Sequence, residues 1–350
     1  MMVQEQVPPT ERQKAVLRAV IHDYIYSAEP VGSRSVARRY AFHLGPASIR
    51  NIMADLEELG YLAQPHTSAG RVPTDRGYRF YVDTLMDPTR LTPEEEGLIE
   101  RCFTPARGQV EGLMRETSQV LGTLSRCAGV VLAPRFDQLQ VKRLEFVNLA
   151  ADRILLILVA TSGVVHHKVV THDEELSQEE LHRIARYLNE LLQGLTLREV
   201  RQVLVAKMAE EKAQYDQLLR RALLLWRKTV EGEPLAEVYI GGATQMMEQP
   251  EFADTEKMRA TFAAFEEKSR LVKILDRCLE DAGLTVTIGR ELGEVALQEF
   301  SVVASPYFRG SAPLGALAVV GPTRMPYDKV VSLVDYTARL VSRLLTDEAS

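Results

Sequence analysis

Between residues 30 and 80 the chain carries seven cations, and all seven are arginine: Arg34, Arg38, Arg39, Arg50, Arg71, Arg76 and Arg79, against four acids. A guanidinium is a planar fork of donors that meets a phosphate, or the edge of a guanine, two hydrogen bonds at a time. Arg50 stands beside Asn51, whose carboxamide can pair with adenine in the same two-bonded way. The chemistry these types point to is recognition of nucleic acid, with no covalent bond made or broken. So small an excess of charge is weak evidence alone, but it marks where a phosphate partner would be met.

Helices must position these groups. Thr10, with Gln13 three residues on, matches a capping box, and Val16, Leu17, Val20, Ile21, Tyr24 and Ile25 follow at helical spacing. Pro30 predicts an end near Ser27–Glu29. Ser33 is read as the cap of a short second helix, Arg34–Tyr40, with Val36 and Ala37 inward. Ala41–Gly45 is a turn, and Pro46 opens a third helix that stops at Gly60. Two short helices joined in this way have the outline of a helix-turn-helix.

At about 100° per residue, Ile49, Ile52, Met53, Leu56 and Leu59 share one face of the third helix. Ala47, Arg50, Asn51, Ala54 and Glu58 lie opposite. Small residues there let the backbone approach a groove, and Arg50 and Asn51 sit in the first turns, where recognition helices touch bases. The plainer reading is an amphipathic helix with a solvated polar face. Downstream, Tyr61-Leu62 starts a strand, Gln64–Pro73 is a polar tip between two extended runs, and Thr74 caps a last helix, Asp75–Met86. Helix-turn-helix, strand, loop and returning strand make a winged helix. His66, Thr67, Ser68 and Arg71 would meet the DNA backbone or minor groove at the wing. Arg76 and Arg79 are either further phosphate contacts or plain surface.

The runs ASIRNIMADLEELGYL and QPHTSAGRVPTDRGYRFYVD, with VYIGGATQMM and GPTRMPYDKVVSLVDYTARLV further on, resemble the HrcA family, the heat-inducible transcription repressors of bacteria. The likeness covers nearly the whole chain, and the PHTSAGR-PT-RGYR string is its most specific part. Two positions depart from the usual pattern: Gly45 replaces a Ser cap and Ser48 a Thr. Gly is tolerated at an N-cap and Ser keeps the hydroxyl, so the fold should be unaffected. The candidate DNA contacts are Ser33, Arg34, Ser48, Arg50, Asn51, His66, Thr67, Ser68, Arg71 and Arg76.

Beyond a linker at Pro88–Pro93, helices are expected near Glu94–Cys102 and Val110–Arg126, then a strand at Gly129–Pro134. Lys142–Leu149, Arg153–Ala160 and Val164–Val170 read as an antiparallel meander, followed by helices at Ser177–Leu192 and Leu197–Lys228. In the long helix Leu204, Met208, Tyr215, Leu218, Ala222 and Leu225 form a seam that Trp226 widens. Core packing and a partner helix in a dimer are both open readings. Then come a strand at Glu237–Ile240, a helix over Thr255–Asp281, strands at Leu284–Ile288, Glu299–Ala304 and Leu314–Val320, and a helix from Tyr327 to Leu345.

The fold class expected is α+β, with a winged helix over 1–88. The resemblance implies a GAF-like domain, placed at 89–137 and 236–350, and an inserted dimerising domain at 138–235. Leu204, Met208, Tyr215, Leu218, Leu225 and Trp226 are the candidate dimer residues. The resemblance also implies a homodimer on an inverted-repeat operator of chaperone operons, kept active by chaperonin for which misfolded protein competes.

Other chemistries find little support. His166 and His172 would be about 20 Å apart along a strand, with His167 facing the other way, too far for one metal. Gly241-Gly242 lacks the lysine and spacing of a phosphate loop. No GxSxG, HExxH or paired DxD motif occurs. No cofactor or enzymatic activity is expected. Three cysteines (Cys102, Cys127, Cys278) without a CxxC suggest a reducing compartment. No signal peptide or membrane span is expected, so the chain reads as cytoplasmic. The alternative function is a regulator that senses a small molecule in the GAF-like domain. The net charge of −6 does not oppose a DNA partner, because the acid surplus lies beyond residue 90.

Overall fold

The computed structural model describes residues 8–66, 69–103, 110–134, 140–150, 153–161, 165–171, 176–192, 194–196, 199, 237–252, 268–280, 283–294, 297–309 and 312–347. They mix helix and strand throughout and fall into two compact units. The first takes residues 1–132, 238–308 and 315–344, the second 133–237, 309–314 and 345–350. No described helix is long and apolar enough to cross a membrane.

The first unit begins with α1 (Glu11–Ser27), whose capping box closes as expected: the Gln13 amide donates to the Thr10 hydroxyl and the Thr10 amide to Gln13 Oε1. It ends at Ala28, left-handed at φ 56°, whose amide returns to the Tyr24 carbonyl. α2 (Ser33–Arg39) and α3 (Pro46–Glu58) follow, then a ribbon of β1 (Leu62–Ala63) and β2 (Val72–Pro73). Leu62 pairs with Pro73 and Ala63 with Val72, antiparallel. α4 (Asp75–Phe80) starts at Thr74, whose hydroxyl accepts the Gly77 amide. The expected uninterrupted helix to Met86 instead widens into a π turn over Tyr81–Leu85. There the Met86 amide reaches back to the Tyr81 carbonyl, while Arg18 donates to the Leu85 carbonyl.

The expected Ser33 cap is also corrected. Gly32 takes the N-cap position and its carbonyl accepts the Ser35 and Val36 amides. Ser33 is the first helical residue and is buried at 8% exposure. The cause is tertiary: Val31 exchanges both backbone hydrogen bonds with Arg71, which fixes where the helix can begin.

α5 (Pro93–Phe103) and α6 (Val110–Ser125) lead into a five-stranded sheet of order β7-β3-β10-β9-β8. Its strands are β3 (Ala128–Leu132), β7 (Val238–Gly241), β8 (Thr285–Ile288), β9 (Phe300–Arg309) and β10 (Ala312–Pro322). β3 pairs antiparallel with β7 and with β10. β9 runs five residues past the expected end at Ala304, straight through Pro306. Its described pairing with β8 covers only 301–304, so at Pro306 that side is an edge, where a missing amide is tolerated. α8 (Ala243–Met247), α9 (Lys268–Glu280) and α10 (Tyr327–Asp347) complete the unit. Of the helix expected over 255–281, residues 255–267 and 281 lie outside the described residues. α6 lies almost in backbone contact with the sheet. A Cβ on Gly241 would be 2.5 Å from the Ser118 carbonyl, and one on Gly242 2.3 Å from the Gly122 Cα. The glycine pair is there for packing.

In the second unit β4 (Val141–Ala150), β5 (Arg153–Ala160) and β6 (Val165–Thr171) form the expected antiparallel meander, with α7 (Gln178–Leu192) alongside. Val141, Leu144, Phe146, Ile154, Leu156 and Leu158 bury one sheet face together with Leu181, Ile184 and Leu188. α7 also satisfies the edge of β4. The Asn189 carboxamide takes both backbone groups of Leu144, and that of Gln178 takes the Asn148 amide and the Phe146 carbonyl. On the other sheet face Val147, Leu149, Val165 and Val169 are exposed.

Candidate nucleic-acid interface

The orientation of α3 is set by burial. Ile49, Met53 and Leu56 are at most 3% exposed, and each buried side chain of this kind contributes roughly 1.5–3 kcal/mol. That anchors one face and turns the opposite one outward. Ala47, Ser48, Arg50 and Asn51 are all exposed, in the first turns of the helix. Gly45 caps α3 with extended geometry and no side-chain bond, and Pro46 needs no amide partner at the first position. Gly60, at φ 78°, ends it.

α2 lies beside α3 and adds cations. Arg34, Ser35, Arg38 and Arg39 line a shallow concavity, so the hydroxyl facing out is that of Ser35, not Ser33. Arg39 is tied down: it donates to Asp23 Oδ1 at 2.7 Å, where the Tyr40 hydroxyl also donates at 3.0 Å. Burial, aided by its hydrogen bond to Asp23, pushes the Tyr40 hydroxyl well above its ordinary value, so it stays a donor. Asp23 is 3% exposed, and this network welds the end of α2 to α1. A second cleft, of about 320 Å³, runs between the start of α2, the outward face of α3 and the ribbon; Arg34, Arg50 and Arg71 line it.

The ribbon closes through Gln64 Nε2, which donates to the Ala69 carbonyl, and His66 is exposed at its tip. Thr67 and Ser68 lie outside the described residues. Arg71 sits at the ribbon root, its side chain 18% exposed and Nε 2.8 Å from Glu57 Oε2. Arg76 stacks over the Tyr61 ring at 4.7 Å. Arg79 is neither phosphate contact nor plain surface: it binds the Glu291 carboxylate, the Val286 carbonyl and Asp83. Among the described residues, Arg34, Arg38 and Arg50 are exposed and engage no carboxylate.

The structure thus brings Arg34, Arg50 and Arg71 to one cleft, leaves Ser48 and Asn51 exposed in the first turns of α3, and exposes His66 at the ribbon tip. Ser35 and Arg38 are exposed beside Arg34; no sequence signal separates them from Ser33 and Arg39 until the start of α2 is known. The partners Glu57 and Glu291 were also missed, because opposite charges far apart in sequence carry no periodic mark. Arg324 was missed for the same reason. Its guanidinium joins Glu251 to the Ile25 carbonyl at the end of α1, while Tyr78 packs on Tyr327 at 5.8 Å between ring centres. Leu204, Met208, Tyr215, Leu218, Leu225 and Trp226 lie outside the described residues.

Elsewhere, Cys127 is buried, and that burial pushes its thiol up to about 11, unsuited to a nucleophile. Among the described residues no group of three His, Cys, Asp or Glu is placed to hold a metal.

Residues 111–331 match the family model described as the HrcA protein C terminal domain. A heat-inducible transcription repressor HrcA of Geobacter sulfurreducens is 48% identical over 97% of this chain and 99% of its own. One of Syntrophobacter fumaroxidans is 44% identical over 97% and 98%. A crystal structure described only as a hypothetical protein at 2.2 Å resolution superposes with a TM-score of 0.62 at 26% identity, covering 97% of this chain and 98% of that one.

Proposed function

The chain belongs to the HrcA family of heat-inducible transcription repressors, and from that premise we propose how it represses. Residues 1–88 act as a winged-helix reading domain in which α3 enters the major groove. Arg50 reads guanine and Asn51 adenine, while Ser48, Arg34 and Arg38 hold flanking phosphates. Ser33, though buried, bounds the turn that aims Arg34. His66, Thr67 and Ser68 meet the minor groove or backbone at the wing, and Arg76 at the start of α4 adds a further phosphate contact. The observation that carries this reading is the sorting of arginines: Arg34, Arg38 and Arg50 are exposed and engage no carboxylate, while Arg39, Arg71 and Arg79 are held by Asp23, Glu57 and Glu291.

Residues 89–137 and 236–350 form a GAF-like body, and 138–235 an inserted dimerising domain. The direct pairing of β3 with β7 supports this, since it joins the sheet across the insertion. The exposed valines and leucine on the outer face of β4 and β6 supply apolar surface a dimer partner would cover. A homodimer places two recognition helices on an inverted repeat of a chaperone operon and excludes polymerase by occupancy. Release on heat stress through competition for chaperonin accompanies the family likeness. A DNA-binding role of this kind places the chain in the cytoplasm and asks for no catalytic group or cofactor.

A mobility shift with a chaperone-operon promoter fragment and with a fragment carrying a scrambled repeat tests the reading. Retardation of the intact repeat alone is expected; equal retardation of both overturns sequence-specific repression.

A further inference from the structure

We infer that Arg71 is a positioning residue that sets the angle between the ribbon and α3 through Glu57, and is not itself a DNA contact; the inference rests on the DNA-binding reading above. Two backbone hydrogen bonds and one ion pair converge on this residue. Its amide donates to the Val31 carbonyl and its carbonyl accepts the Val31 amide, both at 2.9 Å, tying the ribbon to the residue that precedes α2. Its guanidinium is ion-paired with Glu57 at 2.8 Å, tying the ribbon to α3. Next to it, a Cβ on Gly70 would lie 2.4 Å from the Val31 carbonyl oxygen, so the chain crosses there in backbone contact.

Glu57 lies seven residues after Arg50, which on a helix is nearly the same face, about 10 Å further along the axis. The clamp therefore grips the face that carries Arg50 and Asn51, two turns beyond them. β1 and β2 share only two residue pairs, so the direction of the ribbon depends on the ties at its root: the Val31 bridge holds it to the start of α2, and the Glu57 pair holds it to α3. Releasing Glu57 would let the ribbon swing relative to the reading residues.

The charge argument points the same way. A cation that neutralises a phosphate releases counterions and steepens the salt dependence of binding by about 0.9 per contact. Arg71 already has its counter-charge in Glu57, and the side chain is 18% exposed. A pair with no net charge releases none.

The two roles predict opposite results for Glu57. We would measure binding of the full chain to the promoter fragment and to scrambled DNA over a range of salt, for wild type, E57Q, R71A and the double variant. As a positioning pair, E57Q and R71A each weaken promoter binding about tenfold, and the double variant is no worse than the weaker single. The loss is smaller on scrambled DNA, and the salt slope is unchanged. If Arg71 touches DNA, E57Q frees a cation, so binding tightens or the slope steepens, and R71A lowers the slope by about 1; either result overturns the inference. Thermal unfolding monitors the fold, and E57Q, which keeps the side-chain shape, decides the question if R71A does not fold. Should the wild-type chain leave both fragments unretarded, the DNA-binding reading fails and this inference with it.

Discussion

On α2 and α3, Arg34, Arg38 and Arg50 are exposed and engage no carboxylate. On the ribbon and α4, Arg71 and Arg79 are held by Glu57 and Glu291. The residue type is the same and the local sequence equally polar, yet one set is available to a polyanion and the other holds the protein together. The difference lies in whether the fold brings a carboxylate within reach. A guanidinium already paired gains little from a phosphate, since it must first give up bonds of similar strength. An excess of arginine therefore marks a region, and the ion pairs decide which members act outward.

The contrast can be broken in several places. The largest effect is expected for R50A, which should cost roughly 1–3 kcal/mol of specific binding and relax preference at one base pair, leaving thermal stability unchanged. Equal losses on promoter and scrambled DNA would reduce Arg50 to a phosphate contact.

R79A should do the reverse: about 1 kcal/mol of thermal stability lost, since the pair is partly exposed, with the salt slope of DNA binding intact. The same site gives a pH signature. Burial works to raise the Glu291 carboxyl, but hydrogen bonds from Arg79 and the Ile288 amide outweigh it, so it ionises below its ordinary 4.5. Its contribution is then present above that value and fades as pH falls through the folded one. Without Arg79 the depression shrinks, so the stability lost through the acid range should be smaller in R79A than in wild type. Melting curves of wild type and R79A across the acid range would show it; an equal loss in both would remove Arg79 from the argument.

The smallest effects are expected for R34A and R38A. Each should weaken promoter and scrambled DNA alike and lower the salt slope by about 1. A slope that does not move would mean that the α2 surface lies away from the duplex.

What the chain states locally, it states reliably. The capping box at Thr10 and Gln13, the Pro46 start and Gly60 stop of α3, the apolar stripe Ile49–Met53–Leu56 and the strands β4, β5 and β6 all depend on residues within a few positions of one another. Periodicity and capping record such short-range energetics directly. The face of α3 that carries Arg50 and Asn51 was legible for that reason.

The tertiary structure alone decided the rest. Val31 meets Arg71 across the domain, which moves the start of α2 to Ser33 and turns Ser35 outward in its place. Glu57 claims Arg71, and Glu291, more than two hundred residues on, claims Arg79. Pro306 stays within β9 because β8 is too short to need its amide. Each outcome depends on which distant group arrives within hydrogen-bonding distance. The sequence determined which helix could read a groove and which arginines were candidates; close packing of remote segments determined which of those arginines remain able to do so.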